Sequence, residues 1–455
     1  MIANDLRYSF RTLIKQRGFT AVAVLTLAIA LAANTAIFSV VNAILLRPLP
    51  FPNPGQLVEV PWVSRLDGDS VDVQSYPNYI DIRTQTKSMS NVAAFTRGRA
   101  FLMEGSEPEL MSGINASWPL LDVLGVKPQL GRFITREEDV ENGAKVMLLS
   151  HELWQRKFNG DRSIIGRGVR FGTAGDVRTV VGVLPQGFRF PINEEPRDYM
   201  IPFEDGMGPA RTSRDSIWIN VIGRMKPGVT LEQANADLKA LAGRLEKEYP
   251  NENTGLVFLA NSMHEQIVRD VRPALLMLFG AVAVVLLIGC ANVANLLLAR
   301  ATSRHKEISI RAALGASRGR ITMQLLVESV VLSLLAGSVG LLLASWGIDA
   351  LLAFAPEGIP RLDTVTLDSR VLLFTTMLSV FTGIAFGLAP ALSASKPNLT
   401  EALKEGTRGS TEGKRNKLRS ILVVAAVAMS LMLLAGAGLL LRSFIHVTGI
   451  DPGYD

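Results

Sequence analysis

The sequence predicts an α-helical membrane protein, with five transmembrane helices and one large α+β domain between the first helix and the second. Three observations carry this prediction. Hydrophobic residues fill 48% of the 455 positions and charged ones only 19%, and the mean hydropathy is +0.27. Five runs hold no Asp, Glu, Lys or Arg: 18–46, 274–299, 329–348, 371–395 and 420–441. Each supplies the ~20 residues that a helix needs to cross a bilayer core. Lysine and arginine gather in the short segments beside these runs, as they do in cytoplasmic loops. Such a composition excludes disordered, collagen-like and disulfide-rich secreted chains. One cysteine, Cys290, permits no intrachain disulfide and no cysteine-based zinc site, and His151, His264, His305 and His446 lack metal-ligand spacing.

Segment 1–17 carries Arg7, Arg11, Lys15 and Arg17 and is read as cytoplasmic. It could pass for the basic start of a signal peptide. The apolar run that follows continues to Leu46, however, well beyond the ~7–15 residues of a signal core, so 18–46 is the first span. Segments 1–17, 300–328 and 396–419 together hold 17 basic and 6 acidic residues, whereas 349–370 holds two basic and four acidic. Five alternating crossings therefore put the first three in the cytoplasm, and 47–273, 349–370 and 442–455 outside. The net charge of +6 is thus a sign of topology and calls for no nucleic-acid partner.

The external block 47–273 reads as α+β. Lys145–Leu149 is an apolar strand; Ser150 then caps a helix that runs to Phe158 and closes at Asn159-Gly160. Gly168–Phe171 and Val177–Leu184 flank a turn at Gly172–Asp176 and predict a hairpin. Ile217–Met225 is a further strand. Thr230 and Gln233 form a capping-box pattern ahead of a helix whose apolar stripe is Leu231, Ala234, Leu238, Leu241 and Leu245, and Pro250 stops it.

No catalytic or cofactor constellation emerges. The chain lacks G-x-x-x-x-G-K-[ST], so ATP hydrolysis of the usual P-loop kind would have to come from a separate subunit. Gly315–Gly319 matches G-x-S-x-G, but that motif needs a strand before it, and here it lies in a short loop between spans. Ser303–Lys306 and Ser393–Lys396 match S-x-x-K at membrane edges without companion motifs, and Gly436-Ala437-Gly438 lies inside a span. The apolar runs contain no charge, which disfavours an ion relay or a charged-substrate pathway. Their small residues suit close helix packing instead: Gly340 with Ala344 in the third span, and Gly383 with Gly387 in the fourth.

Loop 300–328 is the most specific feature. Glu307-Ile308-Ser309-Ile310-Arg311-Ala312-Ala313-Leu314-Gly315-Ala316-Ser317 reads as a short amphipathic helix that ends at Gly315, with Ser317 opening the next helix past Glu328. One reading lays it on anionic lipid through Arg304, Lys306, Arg311, Arg318 and Arg320. The other makes it the docking site of a cytoplasmic partner, with Glu307, Ile310, Arg311, Leu314, Gly315 and Ala316 as the residues that engage it.

This stretch resembles the coupling loop of FtsX-like permeases of ABC transporters, and Pro390–Ser395 with Glu401-Ala402-Leu403 resembles the end of that domain, giving a domain over 274–403. Leu149–Phe158, Val180–Pro185 and Met225–Thr230 are similar to the periplasmic core domain of MacB-type exporters. Asn4–Tyr8 and Asn34–Asn42 look like the duplicated "orphan" permeases of acidobacteria. The resemblance implies a bacterial inner-membrane permease, an ABC ATPase at the loop, no cofactor in this chain, and a second permease half or a second copy as partner. A periplasmic adaptor is a further implied partner. The implied activity is export of an antibiotic, peptide or lipid-like substrate; the alternative is mechanical activation of a periplasmic protein such as a cell-wall hydrolase. The family pattern has four spans. A fifth at 420–441 is bracketed by Asn416–Arg419 and Leu440-Leu441-Arg442, echoing Leu45-Leu46-Arg47, and is read as the start of an internal repeat.

Overall fold

The structure is a computed structural model that describes the chain except residues 1, 65–69, 105–106, 173–174, 193–195, 204–206, 304–309, 311–316, 355–360, 395–410 and 449–455. It divides into two compact units, one of Met1–Leu46 with Val271–Asp455 and the other of Arg47–Asp270.

The first unit is helical. Ile2–Lys15 is a short helix that breaks at Gln16, and Arg17–Val41 follows as the first span, ending in a π-helical turn over Asn42–Leu46. Thr20 bridges the break by donating its hydroxyl to the Leu13 carbonyl at 2.9 Å. The second span is Arg272–Ser303, the third Arg318–Phe354, the fourth Ser369–Ala394 and the fifth Thr411–Thr448. All five are long and apolar enough to cross a membrane. They are apolar on every side, as helices solvated by lipid are.

Loop 300–328 is shorter than its sequence bounds suggest. Both neighbouring helices run into it, the second as far as Ser303 and the third back to Arg318. Around one core, Ala23, Leu27 and Leu31 of the first span meet Leu286 and Val293 of the second, Leu332 and Ala336 of the third, and Phe386 of the fourth. Phe38 stacks on Phe374 with ring centroids 3.8 Å apart and planes 10° from parallel.

The second unit is mixed α/β. Its long strand Met89–Leu102 pairs antiparallel with Glu109–Ala116 on one side and Ile217–Met225 on the other. Glu109–Ala116 pairs in parallel with Tyr199–Pro202, which pairs with Val146–Leu149. Val146–Leu149 lies parallel to Asp176–Val183. All four residues of that strand are buried, which is why it reads as an unbroken apolar run.

Parallel neighbours need a crossover, and the helix His151–Phe158 supplies part of it. Ser150 accepts the Leu153 N–H at 3.0 Å and Asn159 closes the helix in the left-handed region at φ 50°. The hairpin of Gly168–Phe171 with Asp176–Val183 is present; part of its turn, 173–174, lies outside the described residues. The helix Leu231–Glu248 opens on a complete capping box. Thr230 N–H donates to Gln233 Oε1 at 3.0 Å, and Gln233 N–H donates to Thr230 Oγ1 at 3.3 Å.

That helix buries Ala234, Leu238, Leu241, Ala242 and Leu245 against Tyr79, Ile82, Val92 and Phe258. Its Asp237 accepts from the backbone of Lys87 and Ser88 and from the hydroxyls of Thr86 and Ser88, all at 2.7–2.9 Å. Burial works against the Asp237 charge, but these hydrogen bonds outweigh it and hold the carboxyl below its ordinary range. One oxygen thus ties the end of helix Tyr76–Gln85 to the face of a second helix.

Candidate functional site

The second and third spans are joined where they flank the loop between them. Arg300 Nη1 lies 2.8 Å from Glu328 Oε1, and both side chains are less than a tenth exposed. The Arg300 guanidinium also lies over the Phe19 ring of the first span, 4.6 Å from its centroid. A buried ion is tolerated when a counter-ion and further favourable contacts replace its water; here Glu328 is the counter-ion and the Phe19 ring a further contact. Three spans are thereby joined at one level, next to the loop.

Beyond this pair, third-helix residues meet the fourth span closely. A β-carbon at Gly383 would lie 2.8 Å from Val330 Cα, and one at Gly387 would lie 2.6 Å from Ser329 Cβ and Oγ. Gly340 meets the first span in the same way, 3.1 Å from the Ala28 carbonyl oxygen and 3.3 Å from Ala32 N, and Ala344 is buried. A β-carbon would press on the neighbouring backbone at Gly383 and Gly340, and on a serine side chain at Gly387.

Of the six loop residues, Ile310 is described and is 61% exposed. Glu307, Arg311, Leu314, Gly315 and Ala316 lie outside the described residues. At the far edge of the loop, the Arg320 N–H donates to Ser317 Oγ at 3.4 Å, so Ser317 does cap the third helix. Among the described residues no three His, Cys, Asp or Glu side chains gather as metal ligands would.

Two features escaped the sequence reading. Arg300 and Glu328 were counted as loop charges, yet the structure buries them against each other. Their symmetric position, one just after an apolar run and one just before the next, was the available signal. The second is a polar seam along the first span. Asn34 donates to the Val282 carbonyl of the second span at 2.8 Å, Thr35 shares a 2.9 Å hydrogen bond with Thr375 of the fourth, and Asn42 donates to Asp368 at 3.1 Å. Ser39 turns back to its own helix at Thr35. Positions 35, 39 and 42 share one helix face, a spacing legible in the sequence, and Asn34 turns to a different neighbour. Asn42 also begins the π-helical turn, a distortion often found at functional sites.

Comparison with known proteins assigns both parts. The MacB-like periplasmic core domain family matches residues 20–241, and the FtsX-like permease C-terminal family matches 279–399. The chain is 30% identical over 302 residues to the uncharacterized ABC transporter permease YknZ of Bacillus subtilis, covering 65% of this chain and 69% of that one. It is 26% identical over 285 residues to the macrolide export ATP-binding/permease protein MacB of Campylobacter jejuni, and 27% identical over 286 residues to that of Neisseria meningitidis. Each match covers 62% of this chain and 42% of the relative, so the chain spans less than half the length of these MacB relatives. The two family matches in their order, the five apolar helices and the likeness to YknZ agree: the chain belongs to the MacB/FtsX-type permeases of ABC transporters, multi-pass proteins of the inner membrane with a MacB-type periplasmic core domain.

Proposed function

We propose that this permease exports a substrate by transmitting the motion of a separate ABC ATPase, docked at loop 300–328, to its external domain. The observation that carries the reading is the buried Arg300–Glu328 pair with Phe19 against it. Displacement of the loop need not be absorbed in the loop, because its base is fixed to the first span as well as to the second and third. The first and second spans are also the two that continue in sequence into Arg47–Asp270, so motion reaching them is delivered to both ends of the external domain. The macrolide export named for the MacB relatives supports the outward direction. The large external unit favours export over activation of a cell-wall hydrolase, for which a smaller external module would serve.

Docking is tested by pulling down the cognate ATPase in detergent. A lipid-surface loop would depend on its basic residues, whereas a docked loop depends on the apolar side chains that fill a groove in the partner. Leu314→Asp and Gly315→Val should abolish co-purification while membrane insertion is retained, and Arg318→Ala should weaken it mildly. Equal recovery from wild type and both severe variants would reject the docking site. Orientation is tested separately with single cysteines and an impermeant thiol reagent in intact cells. Positions 213 and 357 should label and positions 4, 317 and 411 should not.

A further inference from the structure

A groove of about 390 Å³ runs between the N-terminal helix Ile2–Lys15, the first span and the third span. Phe10, Ile14, Ala21, Val24 and Leu335 wall it, and Arg17, the first residue of the span, is also in its lining. Val24 lies seven residues beyond Arg17 on a continuous helix, about 10 Å further along the span. The groove is thus graded, with a cation at the membrane edge and apolar walls towards the membrane interior. A molecule with an anionic head and a hydrocarbon tail has the complementary gradient.

The N-terminal helix adds a second observation. Its Leu6, Phe10 and Ile14 recur every fourth residue and are each about half exposed. Arg7, Arg11 and Lys15 follow them one position on. A helix with a continuous apolar stripe beside a cationic one lies in the plane of the headgroup region. It therefore carries the wall of the groove, and three further cations, to the depth at which lipid headgroups sit. Phe19, beneath Arg300 at the loop base, lies two residues from Arg17, so the groove opens on the same membrane face as loop 300–328.

We propose that this groove is a binding site for one acyl chain of an anionic phospholipid, with the phosphate held by Arg17 and the tail lying on Ile14, Val24 and Leu335. Arg7, Arg11 and Lys15 favour a headgroup of net negative charge over a zwitterionic one. The site does not depend on how the loop is used, and its test needs no ATPase.

The full chain, stripped of lipid in detergent, is offered equal amounts of phosphatidylglycerol and phosphatidylcholine with identical acyl chains, and bound lipids are counted by native mass spectrometry. One phosphatidylglycerol should be retained per chain, in preference to phosphatidylcholine. Arg17→Gln should lower retention about fivefold, the effect of one cation at an anionic headgroup. Arg17→Lys should keep most of it. Ala21→Phe, which fills the groove without touching a charge, should remove it. Equal retention of the two lipids, or retention unchanged in both Arg17→Gln and Ala21→Phe, would overturn the site.

Discussion

The first and fifth spans have flanks of similar sequence, yet they are used in opposite ways. In the most apolar stretch of the first span 56% of the residues are buried within the protein; in that of the fifth only 6% are. The first span turns its polar residues to neighbours, Asn34 to the second span and Thr35 to the fourth, and lays the Phe19 ring against Arg300. Most of the fifth helix is exposed, including Val424, Leu431, Met432, Leu434 and Leu439, and its Leu422 is partly packed against the common core. Hydropathy is the same signal in both and ranks them alike. What distinguishes them is the Asn and Thr residues of the first, since interhelical hydrogen bonds help hold helices together where lipid is as apolar as leucine.

The largest test of this contrast is steric. Gly340 faces the backbone of the first span at Ala28 and Ala32, so Gly340→Ile must push two helices apart. The expected cost exceeds ~3 kcal/mol, the upper end of ordinary overpacking, because backbone cannot move aside as a side chain can. The variant should lose its monodisperse peak on size exclusion in detergent. A wild-type elution profile and melting temperature would show that the first and third spans are not in this close contact.

Comparable in size is the ion pair. Glu328→Ala leaves the Arg300 charge buried with its acidic partner gone and should cost ~3–5 kcal/mol. Replacing both, Arg300→Met with Glu328→Leu, should recover much of that loss, since the desolvation penalty disappears with the charges. Thermal melting of the three proteins in one detergent decides it. A double variant no more stable than the single would mean that Arg300 is not held by Glu328.

The external unit supplies a half-buried carboxylate of the opposite kind. Glu59, on the short strand Leu57–Glu59, has its pKa pushed up to about 7, first by burial and then by Asp72, against the pull of Arg269 and Arg97. Its folded value lies above the ordinary one, so its contribution to stability is fully present below the ordinary carboxylate range. That contribution is lost as the pH rises through about 7. Glu59→Gln should therefore leave stability unchanged at pH 4. At pH 8 it should raise stability by on the order of 2–3 kcal/mol. Unfolding curves across this range, parallel in wild type and variant, would refute the assignment. Glu328 is stabilised by a cation at 2.8 Å, whereas Glu59 has an acid among its nearest influences, and the two substitutions should act with opposite signs.

Local devices were the most legible part of the molecule. Ser150, Asn159 and the Thr230–Gln233 box act within five residues of themselves, so their chemistry is complete in the sequence. The strand Ile217–Met225 was readable in its bounds, but not its place between Leu57–Glu59 and Met89–Leu102, which depends on residues far away in the chain. At the candidate site the same division holds. Gly340, Gly383 and Gly387 stood out as small residues at helical spacing, although which helix each would meet did not. Arg300 and Glu328 looked like any charges flanking a span. Only the fold, by bringing the ends of two helices and Phe19 to one point, makes them a base for the loop.

The smallest expected effect belongs to the fifth span. Gly436 lies mid-helix, and a β-carbon built there meets nothing within 4 Å. The nearest counterpart is Gly340, where the same test finds backbone at 3.1 Å. Gly436→Leu adds a side chain that points into lipid, and it replaces the poorest ordinary helix former with one of the best. Among the described residues nothing opposes it, so the melting temperature in detergent should move by the equivalent of no more than ~1 kcal/mol, the difference in helix propensity alone. The experiment also separates two environments for this helix. If lipid is its only neighbour, Gly436→Leu is silent both in dilute detergent and in densely loaded membranes. If a second copy packs there, crosslinking between chains in membranes should fall in the variant although the isolated chain melts as before, because the added side chain would meet the partner's helix. A large loss of stability in the isolated chain would contradict the exposed face itself, and with it the contrast between the two spans.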